Sequence, residues 1–239
     1  MNVNKKTLML SALLLAHSTA SFAGEPHTNN MFGTWTAVTL QGDLKSVSPN
    51  LEKVKWEIMN QTRTRDDSAK GLRFTENVLF SQIGYQVTSN ASFWGGYVRN
   101  WIDPLNKPSF KESRPYQDFL WKQTLGSNLQ LMLRTRVEQR INEKSGNVGV
   151  RPRQLIQFSH PIPFVNGLSA YLGDEVLFYA NKNSFGKRGF SENRIFTGLS
   201  YQFTNKIGAD LGYMGQYVDD KTDMNLFTHN LQSNIRFKF

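Results

Sequence analysis

Apolar and polar residues alternate along most of the chain, and the alternation is clearest in its last run, residues 227–239. Every second residue there belongs to a mainly apolar set, which comprises Phe227, His229, Leu231, Ser233, Ile235, Phe237 and Phe239. The intervening residues, from Thr228 to Lys238, are all polar. Because successive side chains of a strand point to opposite faces, the run predicts a strand with one apolar and one polar face.

The same period of two continues back through the chain and is interrupted by clusters of turn-forming residues. It predicts strands over residues 32–41, 53–65, 72–87, 91–101, 116–125, 129–140, 150–160, 168–180, 192–203, 207–217 and 227–239. Residues 102–115 contain Pro104, Pro108 and Pro115, which make this segment a poor strand. We therefore expect it to be a connection.

The length of these strands favours a membrane barrel over a soluble sheet. They run for about 11 to 15 residues, whereas the average soluble strand has roughly 5 or 6, and crossing an outer membrane at a tilt needs about 9 to 11. The connections alternate between tight turns, such as 89–90 and 204–206, and longer charged loops, such as 142–149 and 181–189. Short periplasmic turns and longer extracellular loops are typical of outer-membrane barrels.

The fold class predicted is therefore all-β, an antiparallel transmembrane β-barrel. Bacterial single-chain barrels have even numbers of strands, but the pattern contains eleven runs. Either residues 32–41 lie outside the wall or one strand has escaped detection, and we expect ten or twelve strands. Aromatic residues at 13% and hydrophobic residues at only 39% suit a wall with aromatic girdles and a polar lumen.

Residues 1–23 are predicted to be a cleaved signal peptide. Lys5 and Lys6 precede a short apolar segment, and Ser21-Phe22-Ala23 forms a small-x-small cleavage site before Gly24. Residues 24–239 then form a single barrel domain. The leader and the barrel pattern together predict localisation to the outer membrane of a Gram-negative bacterium.

An aromatic residue at the carboxy-terminus of a long alternating strand resembles the closing strand of Gram-negative outer-membrane barrels. That resemblance implies that Phe239 is read as an assembly signal by the barrel assembly machinery. The expected partners are this machinery, the outer-membrane lipids and lipopolysaccharide. The formal net charge of +9 suits anionic lipid phosphates, and the export signal argues against nucleic acid as a partner.

Several strand signatures resemble an uncharacterised bacterial family of small, porin-like outer-membrane barrels, known only as a domain of unknown function. They are Gly33-Thr34-Trp35-Thr36, the strand from Lys55 to Arg63, Gly84-Tyr85, Gly95-Gly96-Tyr97, the strand from Glu192 to Tyr201, and Gly212-Tyr213. The likeness covers nearly all of residues 24–239. It implies a barrel but brings no activity or catalytic residue.

The strongest candidate site is a set of charged residues on the polar faces of the predicted strands. The arginines are Arg63, Arg134, Arg136, Arg151, Arg153, Arg194 and Arg236, and the carboxylates are Glu57, Glu138, Glu175 and Asp210. A charge that faces lipid costs about 2 to 4 kcal/mol for Arg or Lys at the midplane, so we expect these side chains in the lumen. They either interleave and fill it, as in a structural or adhesive barrel, or line a narrow, porin-like channel that favours anions.

Catalysis is the less favoured prediction. The chain has no cysteine and no hydrolase, phosphate-loop or zinc motif, so we predict no enzyme activity, no cofactor and no metal. The acidic segment 219–223 is expected to be solvated. An outer-membrane lipid hydrolase, such as a phospholipase or lipid A deacylase, is the alternative because His229 and Ser233 share one face of a strand. Four residues of strand separate them by roughly 13 Å, too far for a nucleophile–base hydrogen bond. His27 and His160 are the other histidines outside the leader.

Overall fold

The computed structural model describes residues 28–67, 70–219 and 225–239, and in these ranges the chain forms one closed barrel of eleven strands. The strands are β1 (Thr28–Asp43), β2 (Val54–Asp67), β3 (Gly71–Gln86), β4 (Ala91–Ile102), β5 (Phe110–Leu125), β6 (Leu129–Asn142), β7 (Val148–Pro161), β8 (Leu168–Tyr179), β9 (Gly189–Gln202), β10 (Ile207–Val218) and β11 (Asn225–Lys238). Within the described ranges two short 3-10 turns occur, at Pro49–Leu51 and Gly126–Asn128. The predicted leader, residues 1–23, and His27 lie outside the described ranges.

The expected count of ten or twelve strands is wrong. Residues 32–41 belong to β1, which is part of the wall and pairs antiparallel with β2 on one side. On its other side β1 pairs parallel with β11, from Thr28 opposite Asn225 to Gln41 opposite Lys238. A parallel seam lets an odd number of strands close, because the first and last strands then run in the same direction.

Ten of the eleven neighbouring pairs are antiparallel, so the connections divide between two ends of the barrel. We call "turn end" the end that holds Phe239 and the connections 44–53, 87–90, 126–128, 162–167 and 203–206. The opposite "loop end" holds Thr28, the connections 103–109, 143–147 and 180–188, and the strand ends Asp67, Gly71, Val218 and Asn225. Thr28 and Phe239 therefore lie at opposite ends.

Three connections break the predicted alternation of short and long. Only residues 68–70 separate β2 from β3 at the loop end, whereas 44–53 and 162–167 at the turn end are longer. The longest, 44–53, is held by contacts at its ends, since Lys55 Nζ lies 3.2 Å from an Asp43 carboxylate oxygen and donates to the Glu52 carbonyl at 2.7 Å.

The proline-bearing segment 102–115 is also shorter as a connection than expected. Only residues 103–109 connect the strands, and β5 begins at Phe110. Pro115 lies within β5 opposite Tyr97, and the residues of β5 paired with β6 pass from Ser113 directly to Tyr116. The ladder is interrupted where proline has no N–H to donate, yet the strand continues on both sides.

Candidate functional site in the barrel interior

The registers place every predicted lumen residue on the same, inward face of the wall. Trp35 lies opposite Arg63, Glu138 lies opposite Arg151, and Glu175 lies opposite Arg194. Each pair shares one side of the sheet, because residues directly opposite in a ladder point the same way. The inward set includes Arg63, Arg134, Arg136, Arg151, Arg153, Arg194, Arg236, Glu57, Glu138, Glu175 and Asp210.

Glu138 is fully buried and lies between arginines of the neighbouring strand. Arg151 Nε donates to its Oε1 at 2.5 Å, and Arg153 Nη1 donates to its Oε2 at 3.0 Å. Arg114 Nε of β5 lies 4.0 Å from the same carboxylate. One carboxylate on β6 thus interacts with arginines from both neighbouring strands, β5 and β7.

Glu175 is the second such centre, on β8. Arg153 Nη2 lies 2.8 and 2.7 Å from its two oxygens. Arg134 Nη2 donates to it at 2.6 Å and Arg194 Nη1 at 3.5 Å. Because Arg153 contacts both Glu138 and Glu175, the two centres form one network of charge-assisted hydrogen bonds.

The network extends toward the loop end through Glu112 and Glu192. Arg140 holds Glu112 with two contacts of 2.7 Å, and Arg114 Nε donates to the same side chain at 2.9 Å. Glu192 accepts hydrogen bonds from Arg194 and, at 3.4 Å, from Arg151. The ion pairs therefore run from β5 round to β9.

Neutral side chains extend the hydrogen-bond network from Glu192 to β11, the last strand. Gln216 Nε2 donates to Glu192 at 2.5 Å, and Thr228 Oγ1 donates to Gln216 at 3.1 Å. Asn230 Nδ2 in turn donates to Thr228 Oγ1 at 2.7 Å. The polar face of β11, which the sequence predicted to join the lumen, is thus bonded to the arginine network.

Arginines also lie against aromatic rings in the interior. The Arg63 guanidinium lies 3.6 Å from the Trp35 ring centre and donates to Glu76 at 3.0 Å. Arg136 lies 3.8 Å from the Tyr116 ring centre and makes two hydrogen bonds of 2.6 Å to Asp118. Stacking of this kind adds a cation–π attraction to the ion pair.

We call this cluster the plug. It consists of Arg63, Arg114, Arg134, Arg136, Arg140, Arg151, Arg153, Arg194, Glu76, Glu112, Asp118, Glu138, Glu175 and Glu192. Arginines outnumber carboxylates in it, and most of its members are buried. Removing such charges from water costs several kcal/mol per ion, which only dense pairing offsets. The plug therefore fills the loop-end part of the interior.

Several plug members were missed by the sequence reasoning: Arg114, Arg140, Glu76, Glu112, Asp118 and Glu192. Glu112 and Arg114 fell in the segment treated as a proline-rich connection. The signal that could have found them is the period of two, because Glu112, Arg114, Tyr116 and Asp118 are consecutive inward residues of β5.

The turn-end part of the interior is less filled and contains a cavity of about 580 Å³. Plug arginines, among them Arg134 and Arg153, line one part of it. Asp210 and Arg236 line the other and form an ion pair at 3.1 Å. Glu57 also lines the cavity and accepts a hydrogen bond from Gln82 at 2.9 Å.

The histidines suggested for lipid hydrolysis lie on the outward face. His229 Nδ1 is hydrogen-bonded to the Tyr213 hydroxyl at 2.7 Å. His229 pairs with Gly215, whereas Ser233 pairs with Leu211 further toward the turn end. The hydrogen bond seen for His229 thus goes to a phenol of β10, and His160 lies on β7, away from β11 in the strand order.

Among the described residues, no group of three or more His, Asp or Glu side chains could hold a metal ion. Most of the acidic segment 219–223 lies outside the described ranges. In those ranges no helix is long and apolar enough to cross a membrane.

Phe239, the predicted assembly signal, ends the chain at the turn end. Its ring stacks on Trp56, with ring centres 6.0 Å apart, and its backbone N–H donates to the Gln41 carbonyl at 3.0 Å. The side chain is nevertheless 69% exposed. The last residue is thus tied to β1 and β2 by its backbone and one face of its ring, and otherwise remains accessible.

Comparison with known sequences agrees with the strand signatures. A family model described as "Protein of unknown function (DUF2490)" matches residues 32–227. An uncharacterised protein of Methylorubrum extorquens is 26% identical over 234 residues, which cover 97% of each chain. The predicted resemblance to an uncharacterised family is confirmed.

Proposed function

Because the chain belongs to the DUF2490 family, whose description carries no activity, we propose its role from the barrel itself: a non-catalytic β-barrel of the Gram-negative outer membrane with a filled lumen. The observation that supports the proposal is that charged and apolar side chains lie on opposite sides of the barrel wall. The charged plug lies inside a closed wall, while large apolar side chains are exposed outside. In water this arrangement would be inverted, whereas in lipid it is the expected one.

The aromatic residues on the outer surface of the barrel also support the proposed lipid environment. Near the turn end Phe93 lies 5.0 Å from Phe119 between ring centres, and Trp56 stacks on Phe239. Near the loop end Phe190 contacts both Phe178 and Tyr217, at 6.0 and 6.1 Å. Further aromatic residues at the two ends include Tyr201, Phe203, Phe74, Trp101 and Phe227. Two such belts are typical of outer-membrane barrels.

Polar side chains on the outward face satisfy one another, as lipid requires. Asn60 and Asn77 exchange two hydrogen bonds of 3.1 Å, and the hydroxyls of Thr34 and Thr64 lie 2.7 Å apart. Asp174 is an acidic residue on an outward position, and Asn193 donates to it at 2.8 Å. An acidic residue costs less than Arg or Lys at this depth.

The plug favours a filled lumen over an open porin. Glu138 and Glu175 link arginines from neighbouring strands, so that the loop-end interior is occupied by bonded side chains. Wide barrels with aqueous channels have 16 to 18 strands, whereas small barrels of about eight are filled by side chains. An eleven-stranded barrel with this much interior charge belongs with the filled class.

A narrow anion-favouring channel is the second candidate, and the excess of arginines over carboxylates in the plug favours it. Such a channel would require the plug to rearrange, because its side chains now occupy the path. Ions would then meet a positive lining. The outer-membrane lipids, lipopolysaccharide and the barrel assembly machinery are the partners that either role implies.

Two experiments test the proposal. First, a membrane barrel should need detergent for extraction and should migrate differently on gels before and after heating, whereas a soluble β-protein would do neither. Second, the refolded protein should leave a planar bilayer electrically silent. Stable single-channel conductance with anion preference would instead establish the channel.

The catalytic alternative has its own test. We expect no release of fatty acid from phospholipid or from lipid A, because the His229 hydrogen bond goes to Tyr213. Release that disappears in His229→Ala and persists in His160→Ala would replace the non-catalytic role with a lipid hydrolase.

A further inference from the structure

The cavity at the turn end contains an arginine with unused hydrogen-bonding capacity. Arg134 contacts Glu175 through Nη2 at 2.6 Å, but its buried Nε has no hydrogen-bond partner within the described part of the chain. Buried polar atoms are normally paired, so an unpaired guanidinium N–H calls for an explanation.

Glu175 cannot supply the missing acceptor, because other arginines use its oxygens. Arg153 binds both oxygens at 2.7 to 3.1 Å, and Arg194 reaches one of them at 3.5 Å. Arg134 is thus one of three arginines that share a single carboxylate. Around Glu175 the plug therefore has more arginines than carboxylates and an excess of positive charge.

Arg134 is also the plug arginine with the greatest access to the cavity. Its side chain is 25% exposed, compared with 15% for Arg140 and 6% for Arg153. The plug closes the loop-end side of the cavity. At the turn-end side Asp210 and Arg236 keep 23% and 28% side-chain exposure, which leaves that side open to solvent.

Apolar side chains line the cavity beside these charges. Met59 lies directly opposite Phe80 on β2 and β3, and Phe196 lies directly opposite Met214 on β9 and β10. All four line the cavity. These four side chains give the cavity an apolar part, while arginine, carboxylate, amide and hydroxyl side chains form most of the remaining lining. The volume of about 580 Å³ lies within the usual range for a small-molecule site.

The other charges in the cavity restrict the ligand. Glu57 is a carboxylate that would repel a second negative charge, and Asp210 is already neutralised by Arg236 at 3.1 Å. A single anionic group can approach Arg134, whereas a polyanion would also meet Glu57. The apolar side chains favour an uncharged, apolar body on the same molecule.

We propose that the turn-end cavity is a binding site for small organic monoanions, in which Arg134 holds the carboxylate and the residues Met59, Phe80, Phe196 and Met214 contact the apolar body. The ligand enters from the turn end and does not pass the plug. The site goes beyond the proposed role, because a filled barrel needs no ligand.

The test uses 4-fluorobenzoate as the probe and its ¹⁹F line width as the signal, with folded protein in detergent. 4-Fluorobenzamide is the neutral control of nearly the same shape. We expect saturable broadening of the benzoate signal and at least about tenfold weaker binding of the benzamide, since a hydrogen bond to a charged group accounts for that ratio or more.

Two variants locate the site. Arg134→Gln should weaken benzoate binding at least about tenfold, while Lys144→Gln removes one positive charge far from the cavity and should leave binding within about twofold. Lys144 is exposed in the connection 143–147 at the loop end. Equal binding of both probes, no binding, or equal effects of the two variants would overturn the proposal.

A third variant covers the case in which Arg134→Gln does not fold. Met59→Trp leaves every charge in place and adds volume to the cavity, so it should also abolish binding, and unaltered binding would exclude the cavity as the site. Heat-dependent gel migration verifies folding for each variant. Because these measurements need no membrane, their failure leaves the outer-membrane role untouched, and the bilayer and extraction experiments test that role separately.

Discussion

Arg153 and Glu175 are joined by a two-pronged contact between β7 and β8, in which Arg153 Nη2 lies 2.8 and 2.7 Å from the two carboxylate oxygens. The pair is not isolated, because Arg153 Nη1 also donates to Glu138 at 3.0 Å. Each carboxylate therefore neutralises arginines from more than one strand. The stability of the wall should depend on these shared carboxylates more than on any one arginine.

We expect Glu175→Gln to lower the free energy of unfolding by roughly 3 to 5 kcal/mol, the cost of breaking a buried pair. The substitution leaves Arg134, Arg153 and Arg194 without their shared anion. Urea titration of the refolded barrel, followed by tryptophan fluorescence, measures the change.

Glu57→Gln is the matched control, because Glu57 also faces the lumen but has a neutral donor, Gln82, at 2.9 Å. Its loss should cost about 1 kcal/mol or less, the net value of an ordinary hydrogen bond. Similar costs for both substitutions would show that the plug does not stabilise the barrel through shared carboxylates.

The two ends of the barrel should differ in accessibility on intact cells. The chain has no native cysteine, so single-cysteine variants can be labelled without background. Lys144→Cys, in the loop-end connection 143–147, should react with a membrane-impermeant maleimide on whole cells. Lys206→Cys, in the turn-end connection 203–206, should react only after the outer membrane is broken. The reverse pattern would show that the turn end faces the outside of the cell and the loop end faces the periplasm.

Phe239→Ala should reduce the assembly of the barrel in cells much more than it reduces the stability of the folded protein. In the folded barrel Phe239 is 69% exposed and contacts Trp56 at 6.0 Å between ring centres, so its removal should cost about 0.5 to 1.5 kcal/mol in vitro. If it is the assembly signal, the amount of heat-modifiable barrel in cells should fall severalfold. Phe203→Ala, at the same end and 59% exposed, should leave that amount nearly unchanged. Equal losses would remove the special role of the last residue.

The period of two was sufficient to predict most of the wall from the sequence. It located all eleven strands and put Arg134, Arg136, Arg151 and Arg153 on the inward face, because alternation fixes the side of each residue once one face is known. What it could not provide is the direction in which the chain closes. The parallel seam between β1 and β11 is a long-range pairing, and neither strand carries a local signal for it.

The ion-pair partners of the inward charged residues could not be predicted from the sequence either. Glu112 and Arg114 were missed because three prolines were taken to exclude a strand, although Pro115 is accommodated where the ladder with β6 is interrupted. The sharing of Glu175 by three arginines depends on register between β6, β7, β8 and β9. Only the closed barrel brings these side chains together.

The adjacent glycines of β4 offer a final test of how tightly the interior is packed. Gly96 faces inward directly opposite Tyr116, and a Cβ added there would overlap the tyrosine ring. Gly95 faces outward, and a Cβ added there meets nothing within 4 Å. The two positions are neighbours in sequence and differ only in the side of the wall that they face.

The Tyr116 ring has little freedom to move away. Its hydroxyl donates to Gln82 at 3.1 Å, and Arg136 lies 3.8 Å from the ring centre on a guanidinium fixed by two 2.6 Å hydrogen bonds to Asp118. Gly96→Ala should therefore lower the free energy of unfolding by about 1 to 3 kcal/mol, the usual cost of overpacking. Gly95→Ala should change it by less than about 0.5 kcal/mol, as surface substitutions usually do. Urea midpoints of the two refolded variants provide the comparison, with near-ultraviolet circular dichroism reporting the tyrosine environment. An equal, small effect at both positions would mean that Tyr116 is not held by Arg136, and that the plug is looser than its hydrogen bonds indicate.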